Sequence, residues 1–521
     1  MSDVSASVKH RQARRRSSLD KSVMNAEALQ SPMAESSPRV SNFRILGYAL
    51  GEGAASITMN GVSNFALLYY TQVLGLGAGY AGLALSLATL WDAVTDPVMG
   101  HITDNTRTRW GRRFPYIVAG GLFLAASYWL LWTVPDGITS PQALFVFALA
   151  GNLLLRTAVT IFGVPYTALG FEICPGYEDR SRLQGIRAAF NMAINLVFGA
   201  FAWALFFHDG TSPDGARIDG TKIAENYARM GWVLAVATAV LILLCAWATR
   251  HTAKDNRNSR VQGNTLDDFR LDLLQILGDR LAWFVFGFFA IALFGMLLVS
   301  QLQMFVYVFF MKLPAGAKTW IHGGGMVAAG LGALFQAWLT KKTDKKIAGY
   351  IAMALTVFGG VFLTVVFFGF NLAPDASWHL AGTNIPVAYL LFGLGQACWW
   401  GGCGMLGPLA MSMVADLSEV NFLKTGILKD GGYSAVFTFL QKASMSAGLL
   451  LTGWMVTAAG IVANADAQTP EAVRNIALMT FLIGPALVII AFFLLRRYPV
   501  DREYLVNLEK QSARDKDAAR A

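Results

Sequence analysis

An all-α membrane protein of twelve spanning helices, arranged as two halves of six, is the architecture this sequence predicts. Composition, the apolar runs and the charge of their connections each point to it. Of 521 residues, 55% are hydrophobic and only 14% charged, and the mean hydropathy is +0.46. A soluble domain carries about a quarter charged residues. The net charge of +9 is not gathered on one soluble domain. It is spread over short segments between apolar runs, so the expected partner is a lipid bilayer and no nucleic acid. Cys174, Cys245, Cys398 and Cys403 form no CxxC pair, and three lie in apolar runs. They read as small buried residues, with neither a disulfide nor a zinc framework expected.

Residues 1–43 are polar and carry Lys9, His10, Arg11 and Arg14 to Arg16, with no apolar h-region within signal-peptide reach. They read as a disordered basic tail, an organelle transit peptide being the alternative. Six apolar segments follow in 44–250, at about 45–72, 78–102, 114–134, 142–172, 183–208 and 227–249. A polar linker, 251–280, separates them from six more in 281–497, at about 281–311, 318–340, 347–371, 384–415, 432–462 and 474–496, and 498–521 is a polar tail. Each segment is long enough, at about 1.5 Å per residue, to cross roughly 30 Å of hydrocarbon. Gly and other small residues recur in them, as expected where spanning helices pack closely.

Basic residues crowd alternate connections: Arg107, Arg109, Arg112 and Arg113; Arg180, Arg182 and Arg187; Arg250 to Arg280; Lys341 to Lys346; Lys424 and Lys429. The opposite connections hold few, among them Arg217, Lys222, Lys312 and Lys318. The positive-inside rule then puts both termini in the cytoplasm of a cell in whose membrane the chain sits.

The second segment contains Trp91-Asp92-Ala93-Val94-Thr95-Asp96-Pro97 after a wholly apolar approach from Ala78 to Leu90. A carboxylate at mid-bilayer costs about 2.5–3.5 kcal/mol on insertion scales, so this pair marks a protected interior site. Asp92 and Asp96 lie one turn apart on one helix face. A bound Na⁺ would satisfy both, or one would hold a proton; carboxylates neutralising a nearby Arg is the alternative. Past this segment come Gly100, Asp104, Arg107 and Gly111-Arg112-Arg113; past the eighth comes Lys341-Lys342-Thr343-Asp344-Lys345-Lys346. The Asp recurs within a basic loop, which marks the two-half architecture of the major facilitator fold.

These residues resemble the glycoside–pentoside–hexuronide:cation symporters, a family whose best-known member is the melibiose permease. The resemblance rests on Trp91 to Pro97, Arg107 to Tyr116, Val164-Pro165-Tyr166, Glu178 to Leu183, Tyr69-Tyr70-Thr71 and Met413 to Asp416, and spans about 44–500. It implies a cation site between the second and fourth helices, with Asp92 and Asp96 as carboxylates and Thr160 as hydroxyl ligand. Thr95 stands where the melibiose permease has Asn, and Lys442 aligns with a lysine near that site. No cofactor is implied beyond the coupling ion, Na⁺ or H⁺. The two sugar-binding acids of the melibiose permease fall on Ser56 and Gly163, and its stacking Trp on Thr167, so melibiose is not the expected substrate.

Glu52, Asn60 and Asn64 on helix one and Arg156 on helix four replace the lost polarity. Arg156 would suit a uronate through a bidentate contact; a structural Arg156–Glu52 pair is the alternative. Arg187, Asn191 and Asn195 repeat every four residues, as cavity lining or as interhelical hydrogen bonds. Trp399 or Trp400 is a candidate for stacking on a sugar ring, with packing as the alternative; Gln301, Gln303 and Gln441 are weaker cavity candidates. Gly77-x-Gly79-x-x-Gly82 follows a spanning helix instead of a strand and is discarded as a dinucleotide motif. Among GxxxxGK[ST], HExxH and GxSxG none occurs, so no enzyme is expected.

The expected function is a monomeric secondary active symporter of a sugar, glycoside or uronate with a monovalent cation. Asp104 with Arg112 and Arg113, and Asp344 with Lys345, are expected to lock its outward-open state. The alternatives are a same-fold carrier of an amphipathic or lipid-like substrate, a non-transporting membrane sensor, and an intramembrane enzyme, which lacks a motif.

Overall fold

The computed structural model describes residues 40–520 other than 136, 175–176, 214, 216, 251–275, 381–382, 426–429 and 466. The expected basic tail up to 39 and most of the expected linker 251–280 lie outside the described residues.

Each expected apolar segment is a helix. The first half holds α1 (Asn42–Leu68), α2 (Ala78–Asn105), α3 (Phe114–Leu131), α4 (Pro141–Ile173), α5 (Tyr177–Phe206) and α6 (Ala224–Thr249). The second holds α7 (Arg280–Phe305), α8 (Ala315–Lys342), α9 (Lys345–Thr364), α10 (Val387–Thr425), α11 (Asp430–Ala458) and α12 (Pro470–Arg497), and the polar tail is helical too, α13 (Arg502–Arg520). Two short hairpins complete the described structure, β1 (Gly210–Thr211) with β2 (Arg217–Ile218), and β3 (Trp378–Leu380) with β4 (Thr383–Ile385).

Side-chain oxygens cap the helices where hydropathy drops. Ser41 accepts from the Arg44 N–H, Ser140 from Ala143, Asp279 from Leu281 and Asp344 from Lys346. Ser140 and Thr469 precede Pro141 and Pro470, whose fixed φ suits the first helical turn. α1 and α7, the equivalent first helices of the two halves, both end in a five-residue π-turn, Tyr69–Val73 and Val306–Phe310. In each, two N–H groups beyond the turn donate back to its first two carbonyls: Leu74 to Tyr69 and Leu76 to Tyr70, Met311 to Val306 and Leu313 to Tyr307. α9 ends in the same turn, Val365–Gly369, with Phe370 and Leu372 donating back to Val365 and Val366.

Seven of these helices qualify as membrane spans on length and hydropathy alone. α1, α2, α8, α10 and α11 do not, because glycine and polar residues dilute them. α1, α2, α8 and α11 are also helices through which the halves meet, α2 against α11, α5 against α8 and α1 against α7. A helix that faces a polar interior need not be apolar all round.

The halves touch closely at the end remote from the chain termini. A Cβ on Gly82 would stand 2.7 Å from the Leu449 carbonyl oxygen, and one on Gly453 2.4 Å from the Ala78 oxygen. Ser86 and Ser446 hydrogen-bond across the same seam at 2.9 Å. Gly199 against Met326 and Gly323 against Ala200 are further close approaches between the halves, and they too lie toward the far ends of α5 and α8. The molecule is thus a V, closed at the far end and open at the terminal end. Replacing Gly453 by Val should overpack the α2–α11 seam at a cost of roughly 1–3 kcal/mol. A lowered thermal midpoint of the purified protein would register it, and an unchanged midpoint would contradict the close approach.

Candidate functional site

At the middle of the V, α2, α4 and α11 bring four charges together. Asp92 and Asp96 project one turn apart from α2 toward α4, where the Thr160 hydroxyl lies 3.1 Å from Asp92 Oδ1 and 2.8 Å from Asp96 Oδ1. A hydroxyl has one proton to donate, so it serves one carboxylate at a time. Thr95 Oγ1 is 3.2 Å from Thr160 Oγ1 and also donates to the Trp91 carbonyl. From the other half, Lys442 Nζ reaches Asp92 Oδ2 at 3.2 Å and forms a short hydrogen bond with Asp96 Oδ2. Arg156 completes the cluster, its Nη1 3.6 Å from Asp92 Oδ2. Two carboxylates face two fixed cations, and the charges sum to zero. Asp92 is buried, whereas the Asp96 side chain is 35% exposed and faces the opening.

The structure thus joins Asp92, Thr95, Asp96, Thr160 and Lys442, as their sequence context suggested. It corrects the expectation for Arg156. That guanidinium is buried against Asp92 and is neither a free anion receptor nor the partner of Glu52. One turn of α4 carries Arg156 to the face of Thr160 and hence to α2.

Glu52 pairs instead with Arg187 of α5, at 2.6 Å from Nη2 and 3.0 Å from Nε. Arg187 lies over the rings of Tyr48 and Tyr166, which stack 4.4 Å apart and exchange hydroxyl-to-carbonyl hydrogen bonds. A polar ladder climbs from this pair. Asn191 donates to Ser56 at 2.7 Å and to Glu52 at 3.3 Å; Asn195 donates to Asn191, and Asn60 to Asn195. Glu52, Ser56, Asn60, Asn191 and Asn195, with Met59 and Ser63, line a cavity of about 290 Å³. Of the helix-five repeat, Asn191 and Asn195 both line this cavity and hydrogen-bond to α1, whereas Arg187 is held by Glu52 outside the lining. On α4, Gly163 faces open space and Thr167 is exposed.

Trp399 does not belong here, a second correction. Its ring is buried in the second half against Gly484 of α12, and its backbone passes close to Gly359 of α9. Trp400 packs on Gly325 and donates its indole N–H to Gln303. Gln301 instead bridges the halves, donating to the Ser63 carbonyl at 2.5 Å.

The loop clusters at the terminal end pair differently from the expectation. Asp104 meets Arg113 at 3.3 Å, while Arg112 and Arg113 both reach Glu172 at the end of α4, at 2.5 and 2.7 Å. Asp344 is spent as the α9 cap, and Lys345 binds Asp416 on α10 at 2.7 Å. Each cluster lies within its own half in this conformation, as it must when that end is open. The repeat pairs a basic loop with an acid on helix four in one half and on helix ten in the other. Glu172 and Asp416 were not foreseen as gate residues, although Asp416 sits in a quoted motif.

The far end is held by residues the sequence reading overlooked. The β1–β2 hairpin and the turn after it lay Asp219 against Lys318 of α8, at 2.6 and 2.8 Å, with the ammonium almost wholly buried. Arg217 donates to the Leu313 carbonyl, Lys222 to Ala465, and the Asn464 N–H to Thr71. Each of these joins the two halves. A lone Lys in the apolar start of α8 was the available signal. Outside this clasp lies a vestibule of about 1130 Å³ that Arg217, Lys312 and Arg474 help to line.

A twelve-helix carrier of two repeated halves, with a charged site at their junction and a closure at one end, is the class of protein this geometry defines. A family model described as MFS/sugar transport protein matches residues 47–502, and the chain belongs to that family. The resemblance to the glycoside–pentoside–hexuronide symporters is borne out by the relatives. The isoprimeverose transporter of Lactiplantibacillus pentosus is 24% identical over 90% of this chain and 91% of its own. The glucuronide carrier protein homolog of Escherichia coli is 24% identical over 88% and 92%. The sodium-dependent lysophosphatidylcholine symporter 1 of Gallus gallus is 24% identical over 90% and 88%. Among solved structures, a bacterial homolog of the human lysosomal transporter Spinster superposes with a TM-score of 0.62 at 12% identity, over 89% of this chain and 98% of that one.

The Asp219–Lys318 clasp yields a test. Burial would raise the Asp219 carboxyl, but Lys318 and the Thr221 hydrogen bonds together hold it below the ordinary carboxylate value. A depressed value contributes stability above the unfolded carboxylate range, about 4, and loses it as pH falls through the folded value. The labelling rate of Thr71→Cys from the far side, divided by that of a fully exposed control cysteine so that the thiolate fraction cancels, should therefore stay flat from about pH 5 to 8. Lys318→Met leaves the Asp219 carboxylate only its Thr221 hydrogen bonds and Arg217, 3.9 Å away, and should raise that labelling several-fold, with partial reversal by Asp219→Asn. Equal labelling in all three would exclude the clasp as a closure.

Proposed function

We propose that the protein is a secondary active symporter that couples a monovalent cation, Na⁺ or H⁺, to a sugar or glycoside by alternating access in a cell membrane. The observation that carries this reading is Lys442. An ammonium from one half fills the place between carboxylates of the other that an incoming cation would occupy. Ion binding and the contact between halves therefore compete for the same oxygens, which is the requirement for coupling. With the termini in the cytoplasm, as the basic loops imply, the open end of the V is inward-facing and the Asp219–Lys318 clasp is the external gate.

The substrate site of this reading is the α1–α5 cavity. Amides, hydroxyls and a neutralised Glu52–Arg187 pair offer donors and acceptors without net charge, which suits the hydroxyls of a sugar. Ser56, Asn60, Asn191 and Arg187 would contact it, with Gly163 and Thr167 leaving room on the α4 side. The names of the isoprimeverose and glucuronide relatives favour this class. That of the lysophosphatidylcholine symporter keeps an amphipathic lipid as the second reading.

Proteoliposomes loaded with neutral glycosides, glucuronides or lysophospholipids separate these readings through substrate-induced ion flux. Asp92→Asn and Asp96→Asn should each reduce uphill accumulation roughly tenfold or more. Undiminished accumulation in both variants would end the symport reading.

A further inference from the structure

Arg156 is a charge that neither the cation site nor the substrate cavity needs for its ligands. We propose that Arg156 is a resident cation of the ion site, and that it makes a single monovalent ion and the Lys442 ammonium mutually exclusive occupants. This rests on the symport reading and adds to it which side chain sets the charge that the ion must match.

Which tether each charge has decides the matter. Asp92 and Asp96 are on α2 and Arg156 on α4, all in the first half, whereas Lys442 is on α11 in the second. When the halves rock, Arg156 travels with the carboxylates and Lys442 does not. The guanidinium is buried, 8% exposed, so it has no route to water from where it sits. Lys442 is more accessible, with 21% of its side chain exposed. Arg156 and Lys442 both approach the same oxygen, Asp92 Oδ2, at 3.6 and 3.2 Å, and only Lys442 also engages Asp96.

The charge count then follows. With Lys442 seated the cluster is neutral, and an added cation would leave a buried positive excess, which the low-dielectric interior disfavours. With Lys442 withdrawn the remaining charge is minus one, and one monovalent ion restores neutrality. Without Arg156 the count with Lys442 seated would be minus one, so ion and ammonium could be held together. Ion entry would then no longer require the contact between halves to break, and coupling would loosen. Thr95 and Thr160 supply neutral oxygens to whichever cation is present and do not alter this count.

The test uses the purified full-length chain in nanodiscs, titrated with Na⁺, with Li⁺ and by pH steps at constant ionic strength, and followed by tryptophan fluorescence and thermal shift. Arg156→Gln should tighten the apparent affinity for the ion that the wild type answers to by about tenfold or more, while Arg156→Lys keeps the wild-type value. Lys442→Gln should tighten it as well, by removing the competitor. In liposomes, Arg156→Gln should let the ion leak without substrate. Should Arg156→Gln not fold, Arg156→Gln/Asp92→Asn, which keeps the Lys442-seated cluster neutral, should fold and bind ion with wild-type exclusivity toward Lys442. Unchanged or weaker ion affinity in folded Arg156→Gln, with a responsive wild type, overturns the proposal and leaves symport standing. A wild type deaf to all three ions overturns the symport reading and this proposal with it, unless Arg156→Gln acquires a response, which upholds the resident-cation role alone.

Discussion

The bond from Lys442 to Asp92 and Asp96 is the interaction around which the molecule is arranged. Four ionised groups in a hydrocarbon slab are tolerable only if they neutralise one another at close range. Three of them belong to one half and the fourth to the other, so electrostatic balance and the contact between halves are one constraint. On the proposed symport reading, the ion that replaces the ammonium brings one positive charge, and the ion gradient acts on the conformation through that replacement.

Around this centre the two ends of the molecule are built on different principles. At the terminal end, Arg112 and Arg113 with Glu172, and Lys345 with Asp416, tie loops to helices inside each half. They stiffen the half as a rigid body and leave the mouth open. At the far end the ties cross between halves, with Lys318 buried on Asp219 and glycine seams between α2 and α11. Rigid halves that exchange contacts at their ends are the mechanical requirement of a rocking carrier.

The α1–α5 cavity follows the same economy. Arg187 is pinned by Glu52 and by the stacked rings of Tyr48 and Tyr166, so its charge is spent before any ligand arrives. What faces the cavity is a ladder of amides and hydroxyls whose hydrogen bonds can be exchanged for those of a polyol. A bare guanidinium there would have selected an acid.

Much of this was legible in the chain. Twelve runs of sufficient length and an Asp repeated after the second and eighth segments define the helices and the two halves. Local hydropathy and bilayer thickness leave few alternatives. Asp92, Asp96 and Lys442 also announced themselves, because an ionisable residue in an apolar run is conspicuous without coordinates, whereas Thr160 was reached only through the family resemblance. Pairing between distant helices was not legible. That Arg156 turns to Asp92 and Glu52 to Arg187, that Trp399 fills the gap left by Gly484, and that Asp219 reaches Lys318 all depend on which helix faces lie opposite one another. Helix rotation and interhelical distance are set by side-chain packing summed over the whole bundle, and no local window of sequence contains that sum.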